Sequence, residues 1–189
     1  MAETFGYTEK GGINAEQTPD RIISSLFTSG SAGTLEKMSL YLREYTPHTP
    51  NIKCAIYDTS YNLVANGTTE EKLIPLLTDQ WVDFAFPTPP TVTATTAYLL
   101  AYWADSYHNS YCRAGAANQW KSWYDQAYDG WSANLGVPDS ELAYELSIYA
   151  TYTEAPPPSV KTLVQATLIS AIPLIAIPTL GQIIKVAGG

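Results

Sequence analysis

The sequence predicts an all-β protein, an antiparallel jelly roll or β-sandwich that is followed by an apolar, helical C-terminal tail. Short segments in which apolar and polar residues alternate recur at roughly ten-residue intervals, with turn residues between them. The 189 residues include 14 Tyr and 5 Trp, which favour strands. The stretch between Lys161 and Lys185 contains no charged residue, which sets the end of the chain apart from the rest.

Eight or nine short strands are predicted, from the N terminus to residue 154. Their segments are ETFGYT, DRIISSLFTS, TLEKMSLYLRE, NIKCAIYD, YNLVANG, QWVDFAFP, TAYLLAYWAD, NSYCRAG and ELAYELSIYATYTE. Turns are predicted at Gly11-Gly12, at residues 30–33 and at Asn66-Gly67, because glycine and asparagine tolerate positive φ.

The alternation assigns a face to many of these side chains. The predicted inward residues are Met38, Leu40, Leu42, Cys54, Ile56, Val82, Phe84, Phe86, Leu146, Ile148 and Ala150. The predicted outward residues are Lys37, Ser39, Tyr41, Arg43, Lys53, Tyr57 and Asp83. The segment TAYLLAYWAD is apolar on both faces, which predicts a central strand that is covered on both sides.

The domain boundaries follow from composition. Residues 1–154 form the predicted sandwich, with an aromatic insert at about residues 115–138. Residues 155–159 include three consecutive prolines, which stiffen the chain into an extended linker. Residues 160–189 form the predicted apolar C-terminal segment, which serves as an anchor or assembly element.

The order of six short segments resembles a known family. FGYTEKGG, SLFTSGSAGTLEKMSLYL, IKCAIYD, QWVDFAFP, YLLAYWAD and SIYATYT together resemble the concanavalin A-like jelly-roll modules of prokaryotic cell-surface and virion proteins, over about residues 4–154. The resemblance implies an accessory module for surface display, adhesion or glycan contact. No catalytic motif is among these segments.

The charge balance and the histidines bear on the function class. The chain has 18 acidic and 10 basic residues, a net charge of −8, which disfavours a nucleic-acid partner. The motifs HExxH, GxSxG, the P-loop and CxxC are absent, and His48 and His108 are predicted to be solvated loop residues. We therefore expect no enzymatic activity and no cofactor.

Metal binding is not predicted, although one weak candidate remains open. Asp105, Asp125, Asp129 and Asp139 lie in or near predicted loops around the aromatic insert. Sandwich folds hold Ca²⁺ between such loops with oxygen ligands, but these residues lack the spacing of a calcium-binding loop.

The aromatic insert, NQWKSWYDQAYDGWSANLG, is the most distinctive candidate site. Trp120, Trp123, Tyr124, Tyr128 and Trp131 fall at i, i+3, i+4, i+8 and i+11, which predicts one face of a helix. One interpretation is a platform on which sugar rings stack. The other is a stripe that packs on the sandwich or on a neighbouring subunit, which is the commoner use of such spacing.

Two further modifications are open on sequence grounds. Cys54 and Cys112 lie in strand-like segments and either form a disulfide or remain buried free thiols. Asn66 begins an Asn-Gly-Thr sequon at a predicted turn tip, where glycosylation requires exposure.

The tail carries eleven large aliphatic residues that would be costly to leave in water. They are Leu163, Val164, Leu168, Ile169, Ile172, Leu174, Ile175, Ile177, Leu180, Ile183 and Ile184. Three destinations are open: other copies or coat subunits, a membrane, and a neighbouring sandwich that accepts a donated strand. Pro173 and Pro178 disfavour a donated strand, because each removes a backbone donor from the ladder.

These observations predict a non-enzymatic structural protein with an outward-facing jelly-roll head. Its tail would join it to copies of itself or to other subunits of a virion or similar particle. The alternative is a carbohydrate-binding adhesin held on a cell surface by a C-terminal membrane anchor. The segment MAETFGYTEKGG lacks the features of a secretory signal, which fits a virion component or a chain that begins after signal removal.

Overall fold

The computed structural model describes residues 2–45, 47–75 and 78–156, with the side chain of Glu44 excepted. The chain divides into two compact units, Met1–Ala155 and Pro156–Gly189, and every described strand belongs to the first. The predicted tail, 160–189, and residues 157–159 of the predicted linker lie outside the described residues.

The described residues form fourteen β-strands. These are β1 (Ala2–Gly6), β2 (Ile13–Gln17), β3 (Arg21–Thr28), β4 (Gly33–Glu44), β5 (Asn51–Tyr57), β6 (Leu63–Leu73), β7 (Gln80–Ala85), β8 (Thr91–Val92), β9 (Ala97–Ala104), β10 (His108–Ala114), β11 (Trp120–Trp123), β12 (Ser140–Leu142), β13 (Tyr144–Leu146) and β14 (Ile148–Glu154).

The strands form two antiparallel sheets that pack as a sandwich. One sheet has six strands in the order β12-β11-β3-β9-β5-β6. The other has eight strands along the path β1-β14-β4-β10-β13, with β7 and β8 paired to β4 and β2 paired to β10. The predicted all-β sandwich is confirmed. Within the described ranges there is no helix, and hence none long and apolar enough to cross a membrane.

The main hydrophobic core lies between the two sheets, and it contains all eleven of the predicted inward residues. Ten of these are at most 5% exposed, and Val82 is partly buried against them. Strand β9 is buried on both of its faces. Leu100 and Tyr102 lie in the main core, while Leu99 and Trp103 lie in a second hydrophobic cluster on the outer face of the sheet. The prediction of a central, doubly covered strand is therefore confirmed.

The strand count is higher than the predicted eight or nine because several strands are too short to show alternation. The closing segment, predicted as one strand, forms three. Strand β12 pairs with β11 in the six-stranded sheet, whereas β13 pairs with β10 and β14 pairs with β4 in the eight-stranded sheet. This segment therefore passes from one sheet to the other.

The turn between β5 and β6 is formed by Asp58–Asn62 and not by the predicted Asn66-Gly67. Asp58 Oδ1 accepts hydrogen bonds from the backbone N–H groups of Ser60 (2.8 Å) and Asn62 (2.9 Å), which is how an aspartate stabilises a tight turn. Asn66 instead lies within β6 with a φ of 61°, where the register against β5 is irregular. The positive φ that asparagine tolerates therefore occurs in a β-bulge and not in the predicted turn.

Candidate functional site

The aromatic insert is not a helix, so that prediction was wrong. Residues Trp120–Trp123 form β11, which pairs with β3 on one side and β12 on the other. A separation of three places two side chains on the same face of a helix but on opposite faces of a strand. Trp120 accordingly enters the main core and Trp123 the second cluster, where they are 3% and 2% exposed.

The rest of the insert crosses the outer face of the six-stranded sheet. Tyr128, Trp131 and Leu135 pack against the second cluster, whose members are Ile22, Ala55, Tyr57, Leu99, Ala101, Trp103 and Trp123. Hydrogen bonds hold the segment in place: the Tyr57 hydroxyl donates to Ser132 O (2.9 Å), and Trp123 Nε1 donates to Gly136 O (3.1 Å). Tyr124 is the one insert aromatic of the predicted five that is exposed, at 40%.

Lys53 lies beneath this cover, although it was predicted to face water. Its Nζ is 4.1 Å from the ring centroid of Tyr128, 4.5 Å from that of Trp103 and 5.8 Å from that of Trp131. The ammonium group also donates a hydrogen bond to the carbonyl of Asp129. Burial lowers the pKa of Lys53, and the nearby charges of Glu71 and Asp129 only partly oppose this. The cation–π contacts stabilise the lysine where water cannot.

A second aromatic group, which we call the aromatic ladder, lies on the outer face of the eight-stranded sheet. It consists of Tyr111, Tyr41, Trp81 and Tyr149 on β10, β4, β7 and β14. The ring centroids of successive members are 5.2, 5.2 and 4.9 Å apart, and each pair packs edge to face. Tyr111 is buried, whereas the other three rings are partly exposed.

Register explains why these rings meet. Tyr41 and Trp81 are direct cross-strand partners, and Tyr149 is opposite Ser39, the next outward position of β4. Because Leu40 and Leu42 enter the core, the residues between and beside them face outward. Sequence reasoning assigned Tyr41 to this face but missed the ladder, because its members lie on four strands whose pairing the sequence does not specify. The sequence feature that could have revealed the ladder is an aromatic residue at an outward position in each of these four strands.

Paired charges flank the ladder at both ends. At one end Lys10 Nζ lies 2.6 Å from Asp79 Oδ2 and 4.6 Å from the Tyr111 ring centroid, and Arg43 Nη1 is 3.7 Å from Asp79 Oδ1. The hydrogen bond from Lys10 is the main cause that lowers the pKa of Asp79, and the same bond raises the pKa of Lys10.

The other end of the ladder is built around Asp83. Its Oδ2 is 2.5 Å from Lys37 Nζ, and its Oδ1 accepts a hydrogen bond from the Ser39 hydroxyl at 2.6 Å. Burial opposes ionisation of Asp83, but these two hydrogen bonds outweigh it and lower the pKa of the carboxyl group. Both ends therefore present a charged, hydrogen-bonding pair beside the rings.

The two cysteines do not form a disulfide. Cys54 in β5 and Cys112 in β10 are free thiols, and both belong to the main core. Burial raises the pKa of each thiol. Of the two interpretations open from the sequence, the structure has the buried free thiols.

His108 is also buried, so the prediction of a solvated loop residue was wrong. It lies in β10 at 1% exposure, where Nδ1 donates to Ser106 O (3.1 Å) and Nε2 accepts from the Tyr102 hydroxyl (3.2 Å). Burial lowers the pKa of His108 to about 4, so the ring is neutral at physiological pH. His48 is half-buried at the surface, 3.4 Å from the Ser106 hydroxyl.

Two of the four carboxylates considered for Ca²⁺ have hydrogen-bond partners within the protein. Asp105 accepts hydrogen bonds from both the backbone N–H and the side-chain amide of Asn51, each at 2.7 Å, and Asp139 accepts from Tyr124 N at 2.8 Å. No three His, Cys, Asp or Glu side chains within residues 2–156, as far as the structure describes them, are placed to hold a metal ion. Asn66 is exposed, which is the condition that glycosylation requires.

Comparisons with known proteins show a distant structural likeness to a viral protein. No family model matches the chain, and no curated protein matches it. The chain is similar over 90% of its length to 49% of a chain in the structure of infectious bursal disease virus Gt strain, with 9% sequence identity and a TM-score of 0.31. It therefore spans about half the length of that viral chain, and a likeness of this size is too low to carry a functional argument.

Proposed function

We propose that the protein is a non-enzymatic structural module that is displayed on the surface of a virion or another multi-subunit particle. The sandwich would be the outward-facing head, and residues 160–189 would attach it to other copies or to coat subunits. The proposal takes the sandwich to be a jelly roll of the concanavalin A-like kind, as the sequence resemblance implies, and the tail to be helical.

The observation that carries this proposal is the contrast between a filled core and an apolar tail. The main core is built by residues from Phe5 to Tyr152, which fill the space between the two sheets. The eleven large aliphatic residues of the tail sequence would forfeit about 15 kcal/mol or more if they stayed in water. A surface supplied by another molecule would remove that cost.

Other protein subunits suit the tail sequence better than lipid alone. Gln165, Thr167, Ser170 and Gln182 lie among the aliphatic residues, and such groups need hydrogen-bond partners in an apolar environment. Contact with a membrane remains part of the proposal for an enveloped particle. The adhesin alternative loses its predicted platform at Trp120 and Trp123, because both indoles are buried.

The test compares the full chain with a chain that ends at residue 156. Multi-angle light scattering in detergent-free buffer should show large assemblies for the full chain and a monomer for the shortened one, which should keep a β-rich circular dichroism spectrum. A full chain that is monomeric and fully dispersed without detergent would contradict the proposal. Liposome flotation separates the two attachments, since only a lipid-binding tail carries protein to the top of the gradient.

A further inference from the structure

Lys53 differs from the other lysines that the structure describes. It is 8% exposed, and its Nζ donates to the backbone carbonyl of Asp129 rather than to a carboxylate. The other described lysines each pair with a carboxylate, and they are Lys10, Lys37, Lys72 and Lys121. Because burial lowers the pKa of Lys53, more of its amine is neutral, which is the nucleophilic form. The proposed structural role does not use this reactivity.

The carbonyl that accepts the hydrogen bond from Lys53 belongs to an aspartate that is followed by glycine, Asp129-Gly130. In such a pair the backbone nitrogen of the glycine can attack the aspartate Cγ, because glycine has no Cβ that hinders the approach. The attack expels one water and closes a succinimide ring, in which the Asp129 backbone carbonyl becomes an activated acyl group. Both residues are exposed, and a Cβ at Gly130 would meet nothing within 4 Å, so the surroundings leave room for the reaction.

The residues on either side of the Asp-Gly pair hold it against the amine. Tyr128 and Trp131 pack against the second cluster, and their ring centroids lie 4.1 and 5.8 Å from Lys53 Nζ. The Tyr128 hydroxyl also donates to Glu71 Oε2 at 2.8 Å. The amine and the acyl group are therefore held together as reactants within one molecule, which raises their effective concentration. Because Lys53 is buried, its amine competes well with water for the activated carbonyl.

We propose that Lys53 and Asp129 form a covalent amide cross-link that joins β5 to the aromatic insert without the help of an enzyme. Lys53 Nζ attacks the Asp129 carbonyl carbon of the succinimide, and the bond from that carbon to the Gly130 nitrogen breaks. The proton released by Nζ passes to the Gly130 nitrogen, which stays bonded to the aspartate Cγ. The net change is the loss of one water, and nothing is oxidised or reduced. This inference does not depend on how the tail is used.

Intact mass spectrometry tests the cross-link on the full chain during incubation at mildly alkaline pH. The chain should gradually lose the mass of one water. Alkaline hydroxylamine separates the two species of that mass, because it opens a succinimide and leaves an amide intact. The species that resists hydroxylamine should yield, after digestion with trypsin, one branched peptide that contains both Lys53 and Gly130.

Asp129→Asn should accelerate the reaction several-fold, because ammonia leaves more readily than water when the succinimide closes. The product of this variant should lack the mass of one ammonia and should carry the same branch. Its faster rate makes the cross-link measurable within the lifetime of the folded sample.

Lys53→Arg is the matched control, because arginine keeps the cation but its guanidinium stays protonated and is not a nucleophile. It should form the succinimide and its hydrolysis products but no species that resists hydroxylamine. Gly130→Ala should slow the cross-link several-fold, since its Cβ hinders ring closure but meets no neighbour within 4 Å. Thermal melting shows whether each variant folds, and Gly130→Ala carries the test if Lys53→Arg does not.

The proposal is overturned if hydroxylamine opens all of the species that has lost water or ammonia. It is also overturned if no such species forms in Asp129→Asn, or if the branch maps to a lysine other than Lys53.

Discussion

Lys53 Nζ lies 4.1 Å from the ring centroid of Tyr128, so a cation on one sheet holds the segment that crosses that sheet. The ammonium group has three aromatic neighbours and one carbonyl acceptor. Lys53→Ala removes both the charge and the packing of the stem, and it should lower the free energy of unfolding by about 2 kcal/mol in urea titrations.

Lys53→Met is the informative comparison at this position. Methionine retains an apolar stem of similar length and removes the cost of burying a charge, so it should lower the free energy of unfolding by less than about 1 kcal/mol. If Lys53→Met proved as destabilising as Lys53→Ala, the charge itself would be the main source of stability. If neither variant changed the urea midpoint, the contact between Lys53 and the insert would contribute nothing measurable.

His108 predicts a specific dependence of stability on pH. Its folded pKa is about 4, below the ordinary value of 6.5, so the unfolded chain binds more protons between these pH values. Stability contributed by the neutral ring is complete above pH 6.5 and is lost as the pH falls towards 4. The loss should reach about 3 kcal/mol. Urea titrations from pH 7 to 4.5 measure most of this loss. Because glutamates also titrate near the lower limit, a variant without the histidine is needed as a control.

His108→Asn serves as the control for that assignment. Asparagine does not titrate, so the variant should be less stable at pH 7 but should show a much smaller slope of stability between pH 6.5 and 4.5. An unchanged slope would assign the pH dependence to other groups.

The inner faces could be predicted from the sequence because period-two alternation reports them directly. Met38, Leu40 and Leu42 are 0% exposed, as their spacing indicates. Lys53 could not be predicted in the same way, because Tyr128 and Trp131, which cover it, are distant in the chain. His108 was assigned to a loop, whereas it is the first residue of β10 and is 1% exposed. Alternation identifies which residues share a face, but it does not tell whether an insert later covers that face.

The aromatic insert shows a second limit of sequence reasoning. Trp120 and Trp123 satisfy helical spacing, yet a strand also accepts a separation of three when both of its faces are apolar. Similarly, Asn66-Gly67 is a strong turn signal, but the adjacent Asp58 turn forms instead because its carboxylate bonds two backbone amides. Short sequence motifs indicate which backbone conformations a residue tolerates. The pairing of the strands determines whether that conformation occurs in a turn, in a strand or in a bulge.

The free thiols of Cys54 and Cys112 can be tested chemically. In the native protein both should react slowly with Ellman's reagent, because burial restricts access and raises the pKa of each thiol. In denaturant without reductant, both should react at once. An intact mass that is unchanged when the unfolded chain is alkylated without prior reduction would indicate a disulfide and would contradict the structure.

Gly11 and Gly12 offer a matched pair of substitutions in one loop. A Cβ atom at Gly11 would lie 2.1 Å from the backbone oxygen of Cys112, whereas a Cβ at Gly12 meets nothing within 4 Å. Gly11→Ala must displace the loop from β10, and it should lower the free energy of unfolding by about 2 kcal/mol. Gly12→Ala should be neutral or slightly stabilising where the backbone conformation suits alanine.

Because Lys10 precedes the loop and reaches Asp79, the displacement of the loop by Gly11→Ala should also disturb that end of the aromatic ladder. Urea titration measures the first effect, and the tyrosine chemical shifts of the ladder report the second. Equal stabilities for the two variants would show that the close approach of Gly11 to β10 does not hold in solution.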